Sequence, residues 1–276
     1  MNSLNNLSNI SEQFSTTEKM PVLFIGHGNP INAIEENQFV EGLKNSIKDV
    51  PNPNAILCIS AHWFTNGTKV TAMEFPKTIH DFGGFPQALF EVQYPVKGSP
   101  ELAKTTSEIL LPTEVKLDYD WGLDHGTWSV LKHLYPNANV PVIQLSIDYT
   151  QPPSYHFELA QKLQTLRQKG VLIIGSGNII HNLRLVDFQN FDKDNYGYDW
   201  AMEAREIINN LITKGDFKSL IEYKNLSKAV QLAIPTPEHY LPLIYAIGLQ
   251  QKNEESTFFN DKLVAGSLSM TSIKIQ

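Results

Sequence analysis

Two runs, ILCIS within Ala55–Ala61 and VLIIGSG from Val171, constrain this chain more than any other feature. Both are apolar on consecutive side chains. Because a strand points successive side chains to opposite faces, such runs fit only where both faces are covered, as in a central parallel strand between layers of helices. Around them, short β-branched runs alternate with amphipathic segments. Strands are expected at Val22–Gly26, Ala55–Ala61, Lys69–Met73, Glu114–Leu117, Val140–Ile147 and Val171–Gly175, with a C-terminal run over Leu263–Ile275. Helices are expected at Ala33–Lys48, Pro100–Leu110, Thr127–Leu134, Tyr155–Gln168, Trp200–Thr213 and Pro237–Gly248. This is the α/β pattern: a single domain with a central, mostly parallel or mixed sheet flanked by helices. The last run, LVAGSLSMTSIKI, alternates apolar and small polar residues and reads as an antiparallel strand with one covered face.

The 276 residues include 14 Phe, 10 Tyr and 4 Trp, enough to fill a large core, and no linker or repeat divides them. Residues 1–20, rich in Asn, Ser and Thr, read as a flexible arm, leaving 21–276 as the domain. The net charge of -7 offers no electrostatic footprint for nucleic acid or an anionic membrane. No apolar run is long enough to span a bilayer. A small molecule or another protein is the expected partner, and nothing in the sequence sets an oligomeric state. The single cysteine, Cys58, excludes an internal disulfide and a Cys-based zinc site. With no signal-peptide pattern in the first twenty residues, the chain is expected to be soluble and cytoplasmic.

In open α/β sheets, ligands bind beyond the carboxyl ends of the strands, so polar groups at those ends are the candidates for chemistry. Three histidines occupy such places: His27 in GHGNP, His62 in SAHW and His181 in GSGNIIHNL. One strand-end histidine commonly just bonds a backbone group. Three at matching positions point instead to a metal, and a His-rich set without cysteine suits Zn, Fe, Cu or Ni better than Mg or Ca. His239, in PTPEHYLPL at an expected helix start, is a fourth candidate ligand, with Glu238 beside it.

His125, in DWGLDHGTW, stands at a loop-to-helix junction suited to an acid or base, with Asp124 either tuning it or capping the helix. His80, in IHDFGGFP, precedes a permissive Gly-Gly pair that lets a loop approach a ligand, with Phe82 and Phe85 as aromatic walls, although a packing loop explains it too. His133 and His156 lie in expected amphipathic helices and take no role. The glycine-rich ends GHGNP and GSGN lack the spacing of phosphate-binding loops, and no serine or cysteine nucleophile motif is present. Asn182–Asn195 has no clear period and is expected to be a surface excursion near the site.

The motifs FIGHGNP, ISAHW, HDFGGFP, LDHGTW, IGSGNIIHNL and PTPEHYLPL, in this order from about Pro21 to the C-terminus, resemble the 4,5-DOPA dioxygenase-like branch of the class III extradiol ring-cleavage dioxygenases. The resemblance implies a mononuclear non-haem site held by His27, His62 and His239, with His181 as a further ligand or as the proton carrier. It also implies Fe(II) for activity, a small L-DOPA-like catechol and O2 as substrates, and ring opening to a muconic semialdehyde. His125 is the first choice for moving protons. Asp124, His80, Phe85 and Arg184 are expected near the substrate, Arg184 as a partner for an amino-acid carboxylate. Neutral histidine ligands also favour Zn(II), which is expected in aerobically purified protein. The alternatives are a zinc hydrolase using a metal-bound water, with His125 as base, and a binding protein without catalysis.

Overall fold

A computed structural model of the chain describes residues 18–191 and 193–276. The expected arm over 1–20 lies, up to residue 17, outside the described residues. Among the described residues, ten strands follow one another: β1 Val22–Gly26, β2 Ala55–Thr65, β3 Thr68–Thr71, β4 Val115–Asp118, β5 Val142–Asp148, β6 Val171–Gly177, β7 Ser256–Phe259, β8 Leu263–Val264, β9 Leu268–Ser269 and β10 Ser272–Ile275. Eight form one sheet in the order β4-β3-β5-β2-β6-β1-β10-β7. The pairs β1–β6, β2–β6, β2–β5 and β3–β4 are parallel, and β10 runs antiparallel to both β1 and β7.

The two apolar runs are the heart of this sheet. Every residue of β6 is buried, as is every residue of β2 from Ala55 to Ala61. Alternate side chains feed two cores: Leu57, Ile59 and Ile173 on one face, Ile56, Cys58 and Ile174 on the other. Helices cover both faces, with Leu241–Gly248 and Pro153–Lys162 on the first and His125–Leu134 on the second.

Several expected elements change at their ends, each for a local reason. The helix expected over Ala33–Lys48 is a short 3-10 turn, Pro30–Ala33, and then a helix, Gln38–Ser46. Asn37 restarts it by accepting hydrogen bonds from the backbone N–H groups of Phe39 and Val40. The single C-terminal strand becomes β8, β9 and β10, because Ala265 (φ 51°) and Gly266 (φ 79°) turn the chain through the left-handed region. The helix expected from Pro237 begins only at Leu241, which leaves His239 in the preceding turn. His156, expected in an amphipathic helix and without a role, is fully buried, with Nδ1 3.0 Å from the Tyr245 hydroxyl.

Neighbouring parallel strands end at the same edge, so the order β2-β6-β1 brings the segments after these three strands together. Backbone bonds lock that edge. His27 N–H donates to Gly177 O (3.1 Å) and Asn178 N–H to His239 O (3.0 Å). Among the described residues, no helix is long and apolar enough to cross a membrane.

Candidate active site and metal centre

His27 leaves β1 just before Gly28, whose left-handed φ of 63° turns the chain away from the sheet. Its Nδ1 lies 2.9 Å from Ser176 Oγ, and that hydroxyl donates to Gly126 O at 2.5 Å. A carbonyl can only accept, so the Ser176 proton is committed and His27 Nδ1 must be the donor. The His27 lone pair is therefore on Nε2. His62, in β2 where the pairing with β5 shifts register between Ile59 and Phe64, has Nδ1 3.4 Å from Asp81 Oδ2. That carboxylate favours a proton on Nδ1 and again leaves the lone pair on Nε2.

The two Nε2 atoms stand 3.1 Å apart. With both outer nitrogens holding the protons, two lone pairs face each other, an arrangement that repels unless a cation lies between them. Burial pushes both imidazoles towards neutrality: His27 well below its ordinary pKa, with nearby His62 adding to the effect, and His62 to about 3, with His125 adding to it. Neutral imidazole is the metal-binding form.

Nitrogens of His27, His62 and His125 all lie within 4.8 Å of one another. The ring of His239 makes a different triangle: its centre is 5.1 Å from that of His27 and 5.0 Å from that of His62, which are themselves 5.0 Å apart. An ion ~2.1 Å from each ligating nitrogen would lie ~3.2 Å from each ring centre, and tetrahedral placement would separate the centres by ~5.2 Å. The His27–His62–His239 triangle meets that spacing. His125 does not, because its ring is only 3.9 Å from that of His62 and its Nδ1 lies 3.0 Å from Asp81 Oδ1. His239 Nδ1 is also buried without a hydrogen-bond partner, which suits a group awaiting an ion.

His181 stacks on His239, with ring centres 3.5 Å apart and planes 12° apart. Imidazole lone pairs lie in the ring plane, so two nearly parallel stacked rings do not converge on one ion. Of the two roles expected for His181, ligand and proton carrier, this stacking is the geometry of the proton carrier beside the His27–His62–His239 triangle. Burial holds its pKa down to about 4, so it is neutral at working pH.

Asp81 carries no role in the sequence reading, yet it organises this side of the site. Besides its contacts to His62 and His125, Asp81 Oδ1 accepts the backbone N–H of His125 at 2.9 Å. Burial pushes its carboxyl up, but its bonds with His125 outweigh this and keep it below the usual carboxylate range. The only signal was its place in HDFGG, between a histidine and a permissive turn.

Asp124 occupies a different place from the expected one. It caps the helix His125–Leu134 and is fully buried, accepting from Ser60 Oγ (2.7 Å), Thr127 N–H (3.2 Å) and the Gln144 amide. The capping alternative describes it, and it lies behind the cavity wall, away from any substrate. His80 is likewise a packing residue, with Nε2 2.9 Å from Val92 O and its ring against Phe82, Phe90 and Trp128. Arg184 is exposed and outside the cavity wall. Phe85, with Phe82, does line the cavity.

That cavity, about 660 Å³, has His27, His62, His125, His181 and His239 at its base. From the excursion, Leu183, Val186, Phe188, Phe191 and residues 193–195 line it, and Phe188 is 79% exposed. A deep, mostly apolar pocket ending in convergent histidines is built to bind a small aromatic ligand at a metal.

The comparisons agree. Residues 21–270 match the family model described as the catalytic LigB subunit of aromatic ring-opening dioxygenase. The chain belongs to this family. A 4,5-DOPA dioxygenase extradiol of Escherichia coli K12 is 44% identical over 270 residues, covering 96% of this chain and 98% of that protein. One from Beta vulgaris is 34% identical, covering 91% and 94%. The crystal structure of an uncharacterized protein from Escherichia coli K12 superposes with a TM-score of 0.80 at 41% identity, covering 93% of this chain and all of that one. The protein is thus an extradiol ring-opening dioxygenase, a metal-dependent enzyme that acts on a catechol-like substrate and O2, with nitrogens of His27, His62 and His125 grouped at the pocket base. The zinc hydrolase alternative is not favoured by these matches.

Proposed function

We propose that this dioxygenase opens the ring of L-DOPA or a close relative, with Fe(II) held by His27, His62 and His239. The observation that carries the proposal is the approach of the His27 and His62 Nε2 atoms to 3.1 Å beneath a pocket sized for an aromatic ligand. The substrate class follows the names of the relatives from bacteria and plants, 4,5-DOPA dioxygenase extradiol. Fe(II) bound there would supply the electronic route between a catecholate and O2, whose spin states otherwise forbid direct reaction.

The protein's own part is positioning and proton handling. Asp81, with Oδ1 3.0 Å from His125 Nδ1, favours a proton on that outer nitrogen and leaves Nε2 for the cavity as the base for a catechol hydroxyl. The same carboxylate steadies the charge that His125 gains. Neutral His181, stacked on His239, offers a hydrogen bond at the opposite side of the base. Phe82 and Phe85 give the ring an apolar wall and exclude water.

His27, His62 and His239 bring no carboxylate to the ion, so a divalent ion held there would keep its full charge for a dianionic catecholate. Such a set also binds zinc, which stands above Fe(II) in the affinity series. Aerobic purification should therefore yield zinc-bearing, weakly active protein. The test is O2 uptake with an absorbance scan after anaerobic loading of apoprotein with Fe(II) or Zn(II) and addition of L-DOPA. Uptake and a coloured ring-opened product with iron alone are expected. Absence of uptake with both metals across several catechols would refute the reading, and stoichiometric iron in an aerobic preparation would refute the zinc statement.

A further inference from the structure

The cavity is too large for a catechol ring alone. About 660 Å³ is roughly four times the ~150 Å³ apolar cavity that holds one benzene molecule. Its inner end is histidine and phenylalanine, but its outer end is lined by Glu35, Gln38, Lys193, Asp194 and Asn195. These come from the segment after the 3-10 turn Pro30–Ala33 and from the end of the rim excursion.

Most of these polar groups are already engaged. Asp194 Oδ1 accepts from Lys262 Nζ (2.8 Å) and Gln38 Nε2 (3.0 Å). Asn195 Oδ1 accepts from Arg205 Nη1 (3.2 Å) and Leu263 N–H (3.1 Å). The neighbouring Glu36 pairs with Lys44 at 2.7 Å. Two charges of opposite sign are left over. Among the described residues, Glu35 has no hydrogen-bond or ion-pair partner, and the Lys193 ammonium has only the face of Tyr196, 4.6 Å from the ring centre. Tyr196 is itself steadied by its hydroxyl, which donates to Asp187 Oδ2 at 3.1 Å. A cation over an aromatic face is oriented while its donors stay available.

We infer that the outer end of the cavity is a zwitterion clamp that selects catechols bearing an α-amino acid group, with Lys193 receiving the α-carboxylate and Glu35 the α-ammonium. This rests on the dioxygenase reading above and names the specificity residues for it. One free anion and one free cation on the rim of the same aromatic pocket are the complement of an amino acid whose ring is buried at the histidines. The clamp also replaces Arg184, which the wall excludes, as the carboxylate partner.

The test uses full-length Fe(II)-loaded enzyme, wild type and the variants Lys193→Met and Glu35→Gln. Four catechols are compared: L-DOPA, dopamine, 3,4-dihydroxyphenylpropionate and 4-methylcatechol. The readout is kcat/KM for each relative to 4-methylcatechol, which carries neither charge, together with anaerobic L-DOPA affinity of the zinc-loaded protein. Charged contacts in a partly open site predict a roughly three- to tenfold fall in the L-DOPA ratio for each variant, expressed mainly in KM. Lys193→Met should lower the ratio for dihydroxyphenylpropionate and spare that for dopamine, and Glu35→Gln should do the reverse. L-DOPA ratios within twofold of wild type in both variants would overturn the clamp while leaving the dioxygenase intact. A wild-type enzyme that cleaves none of the four would overturn the functional reading and the clamp with it.

Discussion

Replacing Gly177 by alanine should cost metal affinity far out of proportion to its cost in stability. Gly177 ends β6, and a Cβ added there would stand 2.2 Å from His239 O, 3.0 Å from His239 C and 3.2 Å from Pro242 Cγ. Ordinary contact begins at 3.4 Å, so the carbonyl of His239 would have to retreat by about 1.2 Å. That carbonyl accepts the Asn178 N–H at 3.0 Å, so the displacement also disturbs the bond that ties the turn to the sheet edge. Overpacking of this kind typically costs ~1–3 kcal/mol, which a domain of this size tolerates. The His239 imidazole rides on the same peptide, however, and a misplacement of ~1 Å at a reacting centre costs on the order of 100-fold in rate. A chromophoric chelator competing anaerobically with the apoprotein for Zn(II) or Fe(II), alongside urea unfolding of the same samples, would separate the two effects. The expected result is a metal affinity at least tenfold weaker and a modest shift of the unfolding midpoint. A midpoint that shifts while metal affinity stays within twofold of wild type would show that His239 is not a ligand, and the triangle argument would fail.

Asp81→Asn should reduce kcat/KM by roughly 100-fold or more, since a carboxamide can neither hold the His125 tautomer nor steady its charge; an unchanged pH–rate profile would contradict this role. Ser176→Ala removes the acceptor that places the His27 proton on Nδ1, and metal affinity should fall about 10- to 100-fold in the same chelator assay with little change in folding. Retained affinity would show that the serine does not set the tautomer. Remote from the site, Glu254 pairs with fully buried Arg167 and with Lys19. Burial alone would raise its carboxyl, but these partners hold it down at about 2, against an ordinary value of 4.5. Because the folded value is depressed, the stabilisation is complete above pH 4.5 and is lost as pH falls towards 2. Urea midpoints between pH 6 and pH 3 should therefore fall more steeply for wild type than for Glu254→Gln; parallel curves would refute the assignment.

Much of this architecture was legible in the chain. The two doubly apolar runs fit central strands, and the three histidines that follow strand runs lie at one edge if the sheet is mostly parallel. These inferences need only the periodicity of a strand and the handed, layered packing of α/β folds. The glycines of GSG were visible as well, but without a reason; the structure supplies it in the close approach of the turn carrying His239.

What escaped the sequence depends on partners brought together from far apart. Ser176 fixes the tautomer of a histidine 149 positions away, and only the β1–β6 register puts them in contact. Chain proximity pairs His125 with Asp124, whereas the fold sets Asp81 beside its Nδ1. The helix turned Asp124 inward to cap its own first turn and left the base to a loop residue 44 positions back. His181 reads from the chain as a third strand-end histidine, and only the fold stacks its ring on that of His239. Local burial and hydrogen-bonding demands decide which segments become strands and where their ends fall, and the sequence carries those demands residue by residue. Which lone pair faces which neighbour is decided by side-chain angles and strand register across the whole sheet, and only the folded chain contains them.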